Sequence, residues 1–172
     1  MIFKTERCLV RKMEPSDFEG LFELHSDPDV MRYTSGDIQD EQACREDLQY
    51  LMEQYKLEST NLLVYGIENK QREFLGTCAI LRNEAQETEI GYRLVQRFWK
   101  QGYATEITNG LLSYCQRIFD SEKLYAYCFV ANTGSIRVLE KCGFSLEKEF
   151  MNEEDGLLDR KYSIKLNTLN VL

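Results

Sequence analysis

The chain has two prolines, one histidine and no stretch rich in glycine, serine or proline in its 172 residues. Linkers are commonly built from such stretches, so residues 1–172 read as a single domain, long enough to bury a sizeable core. Runs of lysine and arginine are missing too: 21 basic residues stand against 29 acidic ones, a formal net charge of −8. Duplex-binding proteins displace counterions with basic clusters, so the composition argues against nucleic acid as a partner. An acidic surface suits a cationic acceptor such as an amine. No apolar run approaches membrane-spanning length, and the opening MIFKTERCLV lacks the apolar core of a signal peptide. The expectation is a cytosolic protein with no membrane partner.

Close pairs of metal ligands are also lacking. The cysteines at 8, 44, 78, 115, 128 and 142 form no C-x-x-C pair, and His25 is the only histidine. Zinc ligation needs such pairs, so no metal is expected. Most of these cysteines lie in apolar runs such as GTCAIL and LLSYCQRIF, which makes them buried, reduced thiols of a reducing compartment.

What is present is a change of period along the chain. Residues 5–12 contain a short strand-like run. Pro15-Ser16-Asp17-Phe18-Glu19 then starts a helix, with Ser16 and Glu19 spaced as a capping box. A second helix follows Asp37 or Asp40, with Leu48, Leu51, Met52 and Tyr55 at helical spacing. Three β-rich runs, 62–67, 74–81 and 88–95, are separated by the polar turns NKQR and RNEAQE and predict an antiparallel meander. A long helix after Gly102 places Ile107, Leu111, Cys115 and Ile118 on one face. A buried strand over 123–130, a helix from Asn132 to Gly143 and a hairpin around Asp155-Gly156 complete the chain. In the last strand Tyr162, Ile164 and Leu166 alternate. The order β-α-α-β-β-β-α-β-α-β-β predicts a mixed α/β sheet covered by helices. Its crossover makes strands 88–95 and 123–130 parallel neighbours.

Two segments can carry chemistry. In EIGYRLVQRFWKQGYATEITNGLL a strand passes through Gly102 directly into an amphipathic helix. Free N–H groups and the positive dipole end at such a start make an anion site suited to a phosphate, although an ordinary strand-to-helix loop reads the same way. Neither G-x-G-x-x-G nor a Walker loop is present. In VANTGSIRVLEKCGF, Asn132 stands where a strand hands over to a helix and also suits a helix cap. Ser135, Arg137 and Lys141 share a partly exposed face.

Together the two segments resemble the GNAT acyl-CoA N-acetyltransferase superfamily, in particular its RimJ/RimL-like branch of protein-alanine N-acetyltransferases. TERCLVRKMEPSDFEGLFELHSDPDVMRY resembles the opening strand and helices of that branch, and the likeness extends to about residue 166. It implies the GNAT fold, a central, mostly antiparallel sheet with a splayed parallel strand pair. It also implies an N-acetyltransferase that uses acetyl-CoA as cosubstrate and a primary amine, a protein N-terminus or a small molecule, as acceptor. Backbone groups of Tyr92, Arg93 and Leu94 would pair with pantetheine in the gap between the parallel strands. Amides of Lys100, Gln101, Gly102, Tyr103, Ala104 and Thr105 would hold the pyrophosphate. Asn132 would contact the pantetheine arm, and Ser135 and Lys141 would reach the cofactor further along. A homodimer is compatible with the resemblance. This chain departs from the family in two places: Lys100 where glycine is frequent, and Leu139 where many relatives carry a tyrosine acid.

Amide formation from a thioester needs a neutral amine, a polarised carbonyl and a proton for the sulfur. Glu89 is the candidate base, set against the alternative of a solvated strand carboxylate. A backbone N–H near Leu94 would meet the oxyanion, and Ser135 or a water would protonate sulfur. A cysteine nucleophile would want a histidine base; Cys128, Cys142 and His25 fit packing roles instead, so direct attack in a ternary complex is expected. The acceptor would approach past Tyr33, Asp37, Glu153, Glu154 and Asp155. The competing reading is a non-catalytic acyl-CoA-binding module of the same fold.

Overall fold

A computed structural model describes residues 1–34, 37–119, 123–153 and 156–166. Eight strands form one sheet: β1 (Phe3–Lys4), β2 (Cys8–Lys12), β3 (Leu62–Asn69), β4 (Phe74–Arg82), β5 (Thr88–Leu94), β6 (Lys123–Phe129), β7 (Ser145–Met151) and β8 (Leu158–Lys165). Their order is β1-β2-β3-β4-β5-β6-β8-β7. Every neighbouring pair is antiparallel except β5 and β6, which run parallel as the crossover requires. The helices are α1 (Phe18–Ser26), α2 (Pro28–Met31), α3 (Glu41–Gln54), α4 (Tyr103–Ile118) and α5 (Thr133–Lys141).

The meander turns share one construction. In each, an asparagine closes a loop onto a glutamate four positions on: Asn69 N–H donates to the Glu73 carbonyl, and Asn83 N–H to the Glu87 carbonyl. The side-chain oxygen of each asparagine accepts the glutamate N–H in return, at 2.9 Å for Asn69 and 3.0 Å for Asn83. Asparagine suits such turns because its short side chain can satisfy backbone donors nearby.

Several local expectations need correction. The strand-like run in residues 5–12 is β2, and β1 before it went unread; Thr5 Oγ1 accepts the Cys8 N–H at 3.1 Å and turns the chain between the two. Ser16 and Glu19 do not cap the first helix. Pro15 occupies the first position of a 3₁₀ turn, which makes Glu14 the cap; its N–H donates to Asp17 at 2.8 Å, while Ser16 donates to Glu14. Asp17 is then gripped by Arg11 through two bonds of 2.8 and 2.7 Å. Arg11 also donates to Glu68 on β3, so the start of α1 is tied to the sheet. The short α2 went unread, although its signal, Asp27 capping Asp29 N–H with Pro28 next, is a common helix start. Asp40, not Asp37, caps α3. Ile118 leaves the face of Ile107, Leu111 and Cys115 and is 46% exposed; α4 ends there and Phe119 packs inward instead. β6 is buried on alternate residues only, because Tyr125 and Tyr127 face the open side of the sheet.

The sheet has two distinct faces. Cys78, Ile90, Leu124 and Ala126 pack into the core with Leu111 and Cys115 of α4 and Leu139 of α5. Arg93 lies on the other face, within electrostatic reach of Asp47 on α3 and His25 on α1. All six cysteines are buried and unbridged, and Tyr162, Ile164 and Leu166 alternate inward as expected. Gly76 lets β4 close onto the end of β5: at φ +147°, a Cβ there would lie 2.1 Å from the Arg93 carbonyl oxygen. Backbone cannot yield as a side chain tip can. Gly76→Ala should therefore cost on the order of 2–4 kcal/mol of stability, read as a lower midpoint in thermal or urea unfolding.

Candidate active site

β5 and β6 share a single register position, Glu89 opposite Tyr125, and part beyond it. The wedge they leave opens toward their C-terminal ends. On one side, β5 runs into a 3₁₀ turn, Gln96–Phe98, and then into the loop before α4. On the other, β6 hands over to α5 at Asn132, whose side chain accepts the Ser135 N–H at 3.0 Å. Gly143, at φ +90°, ends that helix as its sequence indicated.

The loop before α4 is held from within. Trp99 Nε1 donates to the Leu94 carbonyl at 2.7 Å, so that carbonyl is already used. Gln101 Nε2 donates to the Arg97 carbonyl at 2.7 Å. Lys100 at φ 60° and Gly102 at φ 84° both adopt left-handed backbone. Such alternation makes a concavity of N–H groups that suits an anion. For lysine it costs roughly 1–2 kcal/mol, the conformational burden that the absent glycine would have spared. Lys100, Gln101 and Gly102 are exposed, and Tyr103, Ala104 and Thr105 half-buried in the first turn of α4, where N–H groups have no intrahelical acceptor. Lys141 and Arg137 are exposed on α5.

Alternation along β5 sends Tyr92 and Glu89 to opposite faces. The Tyr92 phenol reaches Ser135, and burial pushes it up to about 12, eased by that hydroxyl. Leu139 is 3% exposed and belongs to the core. On the opposite face lie Glu87, Glu89, Gly91 and Arg93. A Cβ built on Gly91 would meet nothing within 4 Å, so the floor between Glu89 and Arg93 is open.

Two carboxylates at the apex are driven apart. Burial pushes Glu89 up to about 7; Asn83 opposes the shift and the charge of Glu87 adds to it. Burial would raise Glu87 as well, but hydrogen bonds from Lys161, Asn83 and Tyr127 outweigh it and hold this group below the usual range. Lys161 Nζ lies 2.5 Å from Glu87 and the Tyr127 hydroxyl 2.9 Å. Pairs of acids with separated ionisation are a mark of acid–base sites.

The remaining candidates sort by position. Tyr33 joins Tyr127, Cys128, Phe129 and Asp159 around a cavity of about 140 Å³ on the Glu89 side of β6. Asp37 and Glu153 are exposed, and Glu154 and Asp155 lie outside the described residues. A larger hollow of about 450 Å³, lined by residues such as Arg82, Phe119 and Lys123, sits at the closed end of the strand pair. It is remote from the Gly102 loop and Asn132, so the wedge is the better candidate. His25 is buried, its ring held neutral by burial, with Nδ1 at 2.9 Å from Gln39. Burial pushes the Cys128 and Cys142 thiols up to about 11, so neither is an activated nucleophile.

Two residues at the loop were not read from the sequence. Glu106, in the first turn of α4, accepts bonds from Thr5 Oγ1, Arg7 N and Arg7 Nε at 2.6–2.7 Å. Arg7 also donates to the Gln101 carbonyl at 3.0 Å. No short motif links positions 99 residues apart.

Known proteins share this architecture. A family model described as an acetyltransferase (GNAT) domain matches residues 7–145. The uncharacterised YkkB of Bacillus subtilis is 34% identical over 163 residues, 91% of this chain and 94% of its own length. A GNAT-family acetyltransferase from Bacillus anthracis superposes with a TM-score of 0.84 at 25% identity, covering 95% of this chain and 98% of that one. Two structures at lower identity share the fold. Spermidine N-acetyltransferase of Vibrio cholerae, solved with CoA and spermine, has a TM-score of 0.78 at 18% identity over 93% of this chain and 96% of that one. An acetyltransferase of Salmonella typhimurium that modifies the N-terminal serine of ribosomal protein L7/L12 has 0.78 at 19% over 96% and 97%. The chain belongs to the GNAT family and is an acetyl-CoA-dependent acetyltransferase.

Proposed function

We propose that residues 1–172 form one cytosolic catalytic domain of the RimJ/RimL-like branch. It transfers acetyl from acetyl-CoA to a primary amine, a protein N-terminus or a small molecule, by direct attack in a ternary complex. The observation that carries this reading is Glu89: a half-buried carboxyl pushed up to about 7, at the apex of the strand wedge, beside an open floor. The two lower-identity neighbours support the acceptor class, since one holds spermine and the other modifies an N-terminal serine, both amines.

The residues suit the cosubstrate. The backbone of β5 at Tyr92 and the Leu94 N–H take the pantetheine arm as an added strand, with Arg93 between them turned toward β4, and Asn132 meets the arm from β6. The left-handed pair Lys100 and Gly102, with Gln101, Tyr103, Ala104 and Thr105, turns N–H groups toward the pyrophosphate. Lys141 approaches from α5. On the other face, Glu89 takes a proton from the incoming ammonium, directly or through a water. The neutral nitrogen bonds to the thioester carbon, and the oxyanion gathers against N–H near Leu94. The C–S bond then breaks, and the attached nitrogen gives its second proton to water, which balances the proton that the sulfur takes up. A phenol at about 12 stays protonated at neutral pH, so Tyr92 and Ser135 offer hydroxyl protons to the departing sulfur and water replaces them.

Glu89→Gln should lower kcat/KM by about a hundred- to ten-thousand-fold while acetyl-CoA still binds, as read by calorimetry. The wild-type rate should show an inflection near pH 7 that the variant lacks. Stability reports on the same carboxyl. Folded Glu89 keeps its proton up to about 7 and an ordinary glutamate releases it near 4.5, so the folded state binds more protons between those values. Stability should therefore fall as pH rises through that window, by at most about 1.4 kcal/mol per pH unit, and Glu89→Gln should flatten the slope in urea titrations.

Gly102→Val places a β-branched residue at φ 84°. About 1–2 kcal/mol of strain in the loop should weaken CoA binding by roughly five- to thirtyfold, measured by titration, with the rest of the fold retained.

A further inference from the structure

The chain has a net charge of −8, yet its cosubstrate is a polyanion, and an acidic residue stands in the first turn of the helix meant to receive it. Glu106 lies four positions after Gly102, and its own N–H donates to the Gly102 carbonyl at 3.1 Å. A carboxylate there interacts well with the helix dipole, but it also competes with a phosphate for the same positive end. Its charge is met elsewhere. Burial would raise Glu106, but hydrogen bonds from the Thr5 hydroxyl and from the Arg7 backbone and guanidinium outweigh it and hold the group ionised. Those bonds, of 2.6 to 2.7 Å, point the carboxylate at the β1–β2 turn.

The Arg7 guanidinium does more than neutralise. Nε holds Glu106, and Nη1 holds the carbonyl of Gln101, the residue between the two left-handed positions. Its carbon sits 4.3 Å above the Tyr103 ring. Nη2 lies 3.4 Å from where a Cβ on Gly102 would be. One side chain thus touches Gln101 and Tyr103 on either side of Gly102, and the carboxylate behind them. A peptide carbonyl that is fixed also fixes the N–H on the far side of the same peptide plane.

We propose that Arg7 is a positioning residue for the phosphate end of the cosubstrate: it compensates Glu106 and locks the Gln101 peptide, so that the loop favours a phosphorylated carrier over pantetheine alone. This rests on the CoA site assigned above. The role is separable from general packing because it concerns the phosphates and not the thioester end.

The test uses Arg7→Gln, Glu106→Gln and the double variant, with CoA affinity by calorimetry and thioester turnover with acetyl-CoA and with acetyl-pantetheine. Arg7→Gln should raise the CoA Kd about tenfold, and it should raise KM for acetyl-CoA more than KM for acetyl-pantetheine. Adding Glu106→Gln should recover most of the lost affinity, because the uncompensated carboxylate is then gone. Equal losses with both thioesters, or no recovery in the double variant, would overturn the proposal. Should Arg7→Gln fail to fold, Arg7→Lys keeps the pairing with Glu106 and gives up the bond to Gln101; an unaltered CoA Kd there would count against it equally. Wild-type protein that binds no CoA would sink the cofactor site and this inference together. Wild-type binding that survives Arg7→Gln unchanged would sink the inference alone.

Discussion

β5 and β6 meet at Glu89 and Tyr125 and then separate, and the site follows from that parting. Strand edges carry donors and acceptors that a sheet would normally satisfy. Here two parallel strands turn such edges toward one wedge, so an extended, amide-bearing chain can complete the sheet on both sides. Parallel strands need a long crossover, and α4 supplies it. The helix must therefore begin where β5 ends, which brings its N-terminus to the mouth of the wedge. In the proposed site, one topological fact thus addresses both the cofactor arm and its phosphates.

The same parting explains the chemistry at the apex. Where the strands still touch, a carboxyl on β5 has neighbours on β6 and loses water; where they open, it would stay solvated. Glu89 stands at the last closed position and Gly91 at the first open one. Glu87, one step deeper on the same face, is instead caught by Lys161 from β8 and Tyr127 from β6. Two glutamates that look alike in sequence are thus pushed in opposite directions, and in the proposed mechanism the one at the opening exchanges a proton with the acceptor.

The parts legible in the sequence are those written in neighbouring residues. Gly102, the cap at Asn132, the stop at Gly143 and the period change from strands to helix are local signals, and the parallel pair follows from the crossover rule. Glu89 was legible as a candidate by its position on the strand; its shift to about 7 was not, because burial and the charge of Glu87 depend on how strands pack. The first helix start shows how a local signal can mislead. Ser16 and Glu19 have the right spacing, but Pro15 fixes the turn one residue earlier and Arg11 reaches back to select Asp17. Arg7 and Glu106 left no trace, since their contact joins the first turn of the chain to its central helix.

That contact also bears on the acidic composition. A formal charge of −8 opposes a ligand rich in phosphate at long range, but charge acts through the distances at which it is presented. Glu106 is tied to Arg7 and Thr5, and Glu23, on α1, is paired with Arg97. Lys100, two positions before Gly102, adds an exposed ammonium there. An acidic protein can thus offset carboxylates such as these two with cations of their own. The remaining acidic surface is then free to act on the acceptor, which in the proposed mechanism is a positively charged amine drawn in before Glu89 takes its proton.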